Sequence, residues 1–279
     1  MITRYFVFII FKENYPMKIC FLFILFGIIG RGAFPQATIY KDFKNHFDMH
    51  DVKGCFILHD QSDKKYIMYN PDLCDSGYIP VSTFKIPHAV IALEEKLISD
   101  KDQVIKWNGH QWPHDAWNQD QTLETAMKFS CIWVFFKFAE ELGIEKYYHH
   151  VNEFDYGNKD LTGPPTRFWL SGSFRISAKE QIEFLEKLYN YDLPVSKSSI
   201  DIVKDIIVLE HTDKYKLSGK TGSGVLKDNE YIRWLVGYLE KAGEVYFYAM
   251  NFKTNDYDKT KNARYEITKS IFTELNLLE

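Results

Sequence analysis

The sequence has no apolar run of membrane-spanning length: the longest, Ile19 to Ile29, is too short to cross a bilayer. Four cysteines in 279 residues are too few for a disulfide-stapled scaffold. A Gly-x-Ser-x-Gly elbow is missing, as is a His-Glu-x-x-His helix, so lipase-type and zinc-protease chemistry have no support. Gly219-Lys220-Thr221 resembles the end of a phosphate loop, but Lys214 stands where that loop needs glycine, which excludes the nucleotide reading. Internal repeats and low-complexity tracts are also absent.

A composition of 46% hydrophobic and 26% charged residues excludes disordered and fibrous classes and suffices for one large globular domain, or one domain with a subsidiary lobe. The 22 Phe and 18 Tyr allow a dense core and a partly aromatic cleft. The nine histidines are expected at the surface, and no metal site is expected.

Residues 1–32 are expected to be an export signal, with Lys18 before the apolar run and Gly30 and Gly32 after it. A shorter apolar patch, Tyr5 to Phe11, precedes it and leaves Met17 as an alternative start. Removing 1–32 takes away Arg4, Lys12, Lys18 and Arg31 against Glu13, so the formal charge goes from −4 to −7. An acidic chain of this kind is a poor nucleic-acid binder, and no membrane span is expected after cleavage. Cys55, Cys74 and Cys131 would remain, an odd number. A Cys55–Cys74 bridge and buried free thiols both stay open.

Gly54 to Asp60 and Lys65 to Tyr69 read as a hairpin around a polar turn. Apolar residues at helical spacing predict a helix from Thr83 to Leu97, with Ser82 at its N-terminus and Pro87 in its first turns. A second helix is predicted from Thr122 to Leu142, stopped by Gly143 and containing Ser130. Asn152 to Phe174 reads as a loop, and Ser177 with Glu180 as a capping box opening another helix. Three strands follow, Lys216 to Gly222, Tyr231 to Glu240 and Glu244 to Phe252, then a helix from about Asn262 to Leu277. Strands at both ends with helices between them predict residues 33–279 as a single α/β domain: a sheet lobe from both termini and a helical lobe from the middle.

Ser82-Thr83-Phe84-Lys85 is the chemically loaded segment. A serine hydroxyl is a poor nucleophile without a base in hydrogen-bond reach, and a lysine three residues later on a helix shares its face. The pattern alone is weak, because Ser62-Asp63-Lys64-Lys65 matches it inside the hairpin turn. Ser82 differs by its apolar approach, Ile79-Pro80-Val81, and by a helix start whose free N–H groups can hold an oxyanion. To act as a base, Lys85 must be neutral. Bringing a lysine from about 10.4 to near 7.4 takes about three pKa units, roughly 4 kcal/mol, which burial in an apolar interior can supply.

Downstream come Ser130-Cys131-Ile132, Tyr156-Gly157-Asn158, Phe168-Trp169-Leu170, Lys220-Thr221-Gly222 and Trp234-Leu235-Val236-Gly237, after Trp117-Asn118-Gln119-Asp120. With Pro80-Val81-Ser82-Thr83-Phe84-Lys85-Ile86-Pro87, this ordered set resembles the class D, oxacillinase-type, serine β-lactamases over most of residues 38–279. The resemblance implies the fold shared with penicillin-binding transpeptidases, an antiparallel central sheet flanked by helices with a helical subdomain. It also implies hydrolysis of β-lactams by a periplasmic enzyme that is a monomer or homodimer and needs no cofactor beyond a carboxylated lysine.

By the same resemblance Ser82 is the nucleophile and Lys85 the carboxylated general base of acylation and deacylation, held by the indole N–H of Trp169. Ser130, near Lys220, passes a proton to the leaving nitrogen. The backbone N–H groups of Ser82 and Ser223 form the oxyanion hole, where one donor is worth about 3–4 kcal/mol in other acyl-transfer enzymes. Lys220, Thr221 and Arg264 bind the substrate carboxylate, Arg264 by a forked contact, and Gly222, Ser223 and Ile132 also contact the substrate. Tyr156 and Asn158 shape the adjoining loop.

Two positions depart from the family: Ile132 replaces the usual valine and narrows the lysine pocket or the substrate range, and Tyr231-Ile232-Arg233 replaces a segment that often carries glycine and an aromatic. Two other readings share the nucleophile. A β-lactam receptor domain acylates and stays acylated, but such receptors carry several membrane spans. A transpeptidase or carboxypeptidase shares the Lys-Thr-Gly strand, but Ile132 and Trp169 argue against it.

Overall fold

The computed structural model describes residues 37–279. The export segment expected at 1–32 lies outside them. The chain enters at β1 (Ala37–Tyr40) and α1 (Lys44–Asp48), then forms the hairpin β2 (Lys53–Asp60) and β3 (Lys65–Tyr69). Ser62 lies in its turn and Lys65 opens β3, so that second Ser-x-x-Lys match has no helix under it. The helical stretch follows: α2 (Pro71–Cys74), α3 (Lys85–Glu94), α4 (Leu123–Lys128), α5 (Ile132–Leu142), α6 (Ile144–Phe154), α7 (Phe168–Ser171), α8 (Ala178–Tyr189) and α9 (Lys197–Ile206). The chain then returns through β4 (Val208–His211), β5 (Lys216–Val225), β6 (Tyr231–Lys241) and β7 (Glu244–Thr254) to α10 (Ala263–Glu274).

These strands make one seven-stranded sheet in the order β1-β3-β2-β7-β6-β5-β4, antiparallel except where β1 runs parallel to β3. The central pairing of β2 with β7 joins the start of the chain to its end. Antiparallel sheets alternate their side chains, and here both faces are covered. On one side Phe43, Phe56, Leu235, Met250, Ile267 and Phe272 pack beneath α1 and α10. On the other, a larger cluster runs from Ile57 and Val236 through α3, α5 and α8. Ser177 and Glu180 close the predicted capping box at the start of α8, each side chain bonding the other's backbone N–H.

Several expectations are corrected. The helix predicted over 122–142 is two helices, α4 and α5, with Ser130 at the break. Ser130 N–H donates to Met127 O at 3.2 Å and Cys131 N–H to Ala126 O at 2.8 Å, with Ser130 at φ 54°. This is the Schellman stop, in which serine takes the left-handed position that glycine usually fills. The helix predicted to begin at Thr83 starts as a 3-10 turn over Val81–Phe84 and ends at Glu94, not Leu97. The expected loop over 152–174 contains the last residues of α6 and all of α7. Three histidines are buried rather than at the surface: His59, His88 and His150. Of the two alternatives for the cysteines, the free form is found, since Cys55, Cys74 and Cys131 are all unbridged and buried.

Candidate active site

The 3-10 turn that carries Ser82 is clamped from three sides. From β6, the buried Trp234 indole donates to Ile79 O at 3.1 Å. From β5, Gly222 and Gly224 lie so close that a Cβ would fall 2.8 Å from Val81 Cγ2 and 2.2 Å from Val81 Cγ1. From α8, the Gln181 amide donates to Thr83 Oγ1 at 2.9 Å, and Thr83 donates in turn to Pro80 O at 2.8 Å. Tyr156 O–H completes this buried chain by donating to Gln181 Oε1 at 3.1 Å. Between these clamps Val81 is held at φ 48°. A β-branched residue there is strained, at a cost of order 1–3 kcal/mol, and the surrounding contacts over-determine it.

Lys85 opens α3 and is wholly buried, with Nζ 3.0 Å from Ser82 Oγ and 5.0 Å from the centre of the Phe135 ring. Burial pushes the amine down to about 7, slightly opposed by the nearby Cys131 thiol. Three residues on, His88 bonds Tyr147 O–H through Nδ1 at 2.9 Å, and burial followed by the charge of Lys85 lowers its own pKa. Trp169 lies edge-on to His88 with ring centres 4.2 Å apart and stacks on Phe84 at 5.9 Å. Its indole N–H is buried and has no partner. Buried donors are rarely left so, and this one is packed among the rings of Phe84, His88 and Phe136.

Ser130 is half-buried at the α4–α5 break, which Trp117 fastens by donating its indole N–H to Phe129 O at 3.0 Å. Lys220 on β5 is buried beyond the ordinary reach of a charged lysine. Its pKa is held well below the usual value, first by burial and then by the charges of Lys85 and Arg264. Its Nζ turns toward Thr221, 3.3 Å from the backbone oxygen and 3.5 Å from Oγ1. No hydrogen bond joins it to Ser130 among the described residues. Ser223 Oγ accepts from Arg264 Nη1 at 2.7 Å and from Arg233 Nη1 at 2.8 Å. The forked contact expected of Arg264 is thus used in part within the protein.

Ile132 and Leu170 face Val81, Ser223 and Gly224 across a cleft of about 740 Å³. Asn158 is exposed and ties the loop below it, accepting from Arg175 N at 3.0 Å and donating to Ser173 O at 3.0 Å. Gln181, Thr83 and Arg233 are the neighbours that sequence reasoning missed. Gln181 lies 98 residues from its partner Thr83, with no local signal. Arg233 was visible only as a departure from the family pattern.

Residues 43–276 match the model of the penicillin binding protein transpeptidase domain. Over 258 residues the chain is 35% identical to the β-lactamase OXA-48 of Klebsiella pneumoniae, covering 92% of this chain and 97% of that protein. It is 37% identical over 214 residues to the regulatory protein BlaR1 of Bacillus licheniformis, covering 77% of this chain but only 35% of that protein. The crystal structure of a class D β-lactamase from Sebaldella termitidis superposes with a TM-score of 0.83 at 33% identity, over 88% of this chain and all of that one. Fold, ordered motifs and relatives agree: the chain belongs to the class D serine β-lactamases, within the penicillin-binding transpeptidase fold.

Proposed function

We propose that the protein is an exported, periplasmic enzyme that hydrolyses β-lactams through an acyl-enzyme on Ser82, with residues 33–279 as its single catalytic domain. The observation that carries this reading is the 3.0 Å contact of Ser82 Oγ with a buried Lys85 amine whose pKa is near 7. Lys85 also fits carboxylation: a neutral amine is the form that carbon dioxide attacks, and the unpartnered Trp169 N–H is a donor for the new anion. As a carbamate, Lys85 supplies a general base for both acylation and deacylation.

The remaining roles belong to the chain's own groups. Ser82 Oγ attacks the lactam carbonyl, and the N–H groups of Ser82 and Ser223 hold the developing oxyanion. Ser130 carries a proton to the leaving ring nitrogen, and Lys220, whose pKa burial depresses, is the lysine on β5 proposed to resupply it. Lys220, Thr221 and Arg264 take the substrate carboxylate, Gly222 adjoins them on β5, Ile132 and Leu170 line a cleft together with Ser223, and Tyr156 and Asn158 hold the turn and loop nearby. The small-molecule β-lactam is the only partner this site calls for, and either a monomer or a homodimer can present it.

The likeness to BlaR1 favours one second reading, a receptor that acylates without turnover. A product time course with excess chromogenic cephalosporin separates the two. Many turnovers per protein, rising with bicarbonate, are expected. A single stoichiometric burst indifferent to bicarbonate would replace the enzyme with the receptor.

A further inference from the structure

The departure at Arg233 has a place in the site. Arg233 and Arg264 reach the same oxygen, Ser223 Oγ, at 2.8 and 2.7 Å. A guanidinium N–H can only donate, so both lone pairs of the hydroxyl are occupied and its own proton must point elsewhere. No described residue accepts it, and Ser223 lines the cleft. Arg233 is buried and fixed, lying 3.8 Å over the Tyr257 ring and donating also to Tyr257 O. Neither arginine has a carboxylate within salt-bridge distance among the described residues. Burial, and then the charge of Arg233, pull Arg264 down to about 10. Two converging cations, with a hydroxyl between them forced to donate, lack only an anion.

We propose that Arg233 is a positioning residue for the substrate's anionic group: together with Arg264 it makes the Ser223 hydroxyl an obligate donor to the carboxylate beside the lactam ring. The inference rests on the β-lactam reading of the site and assigns the Ser223 side chain a task separate from its backbone N–H.

The test compares one cephalosporin as free acid and as methyl ester, on wild-type protein, Ser223→Ala, Arg233→Gln and the double variant. Each single change is expected to raise the acid-to-ester KM ratio about tenfold, the equivalent of one charge-assisted hydrogen bond. The ratio should move no further in the double variant than in Ser223→Ala. An equal rise for acid and ester, or an Arg233→Gln effect undiminished in the Ser223→Ala background, would overturn the proposal. If Arg233→Gln does not fold, Ser223→Ala decides alone, since an unchanged acid-to-ester KM ratio refutes it. If the wild-type protein turns over neither substrate, the same comparison is read on the rate of Ser82 acylation by intact mass. A failed hydrolase reading and a failed anion site therefore give different results.

Discussion

Lys85 pays for its chemistry in stability. Its pKa near 7 against an ordinary 10.5 means that burying the charged form costs on the order of 5 kcal/mol. Below about pH 7 both folded and unfolded chains carry the proton, and the whole penalty is present. Between pH 7 and 10.5 the unfolded chain holds a proton that the folded one has released, so the unfolding free energy rises with pH across that window. Above it both are neutral and the penalty is gone. Lys85→Met, close in length and apolar, is therefore expected to stabilise the protein by about 2–4 kcal/mol at pH 6 in bicarbonate-free buffer and by close to nothing above pH 10.5. Urea unfolding of both proteins across that range checks it. A constant difference at all pH values would mean that Lys85 does not titrate near 7. The gain in stability comes with loss of turnover, the trade expected where an active site stores strain.

At the scale of elements, the break between α4 and α5 sets Ser130 in a left-handed turn of its own. Apolar residues keep helical spacing on both sides of Phe129-Ser130-Cys131, and no glycine or proline marks the stop, which is why the sequence reads as one helix. The signal lies instead in tertiary contacts, chiefly the Trp117 indole that takes the Phe129 carbonyl. Ser130→Gly should then stabilise the fold by about 0.5–1 kcal/mol, since glycine adopts φ 54° freely, while Ser130→Ala should give no such gain. Both should lower kcat by at least about a hundredfold, the usual scale for a lost proton-transfer group. Thermal unfolding and steady-state rates on the pair separate the two contributions. Equal stabilities would show that the left-handed backbone costs nothing here. The same division governs what else was legible. Ser82 and Lys85 share a helix start, and Lys220-Thr221-Gly222 is a contiguous strand, so local spacing announces them. The Tyr156–Gln181–Thr83 chain joins residues far apart in sequence, and no local pattern encodes such a meeting, whereas Arg233 and Ser223 are cross-strand partners on β6 and β5 whose meeting needs the hairpin register.

On the scale of the whole molecule, the sheet comes from both ends of the chain and most helices from the middle, yet the site draws on both. Ser82, Lys85 and Ser130 come from the helical stretch; Lys220, Ser223 and Arg264 come from the returning strands and last helix. The apolar core follows the same plan, because one cluster contains Cys55 of β2, Cys74 of α2 and Cys131 at the head of α5. A core shared in this way predicts one cooperative unit rather than two lobes that melt apart. The three thiols are natural reporters, being buried, unbridged and spread through that cluster. Pulsed alkylation along a urea titration, with the labelled sites mapped by mass spectrometry, should find Cys55, Cys74 and Cys131 unreactive in the native protein and exposed at one common midpoint. Exposure of Cys131 at lower urea than the other two would show that the helical stretch opens by itself. In that case the Ser82–Lys220 geometry would depend on a docking equilibrium, and substrate binding would have to stabilise the two parts against each other.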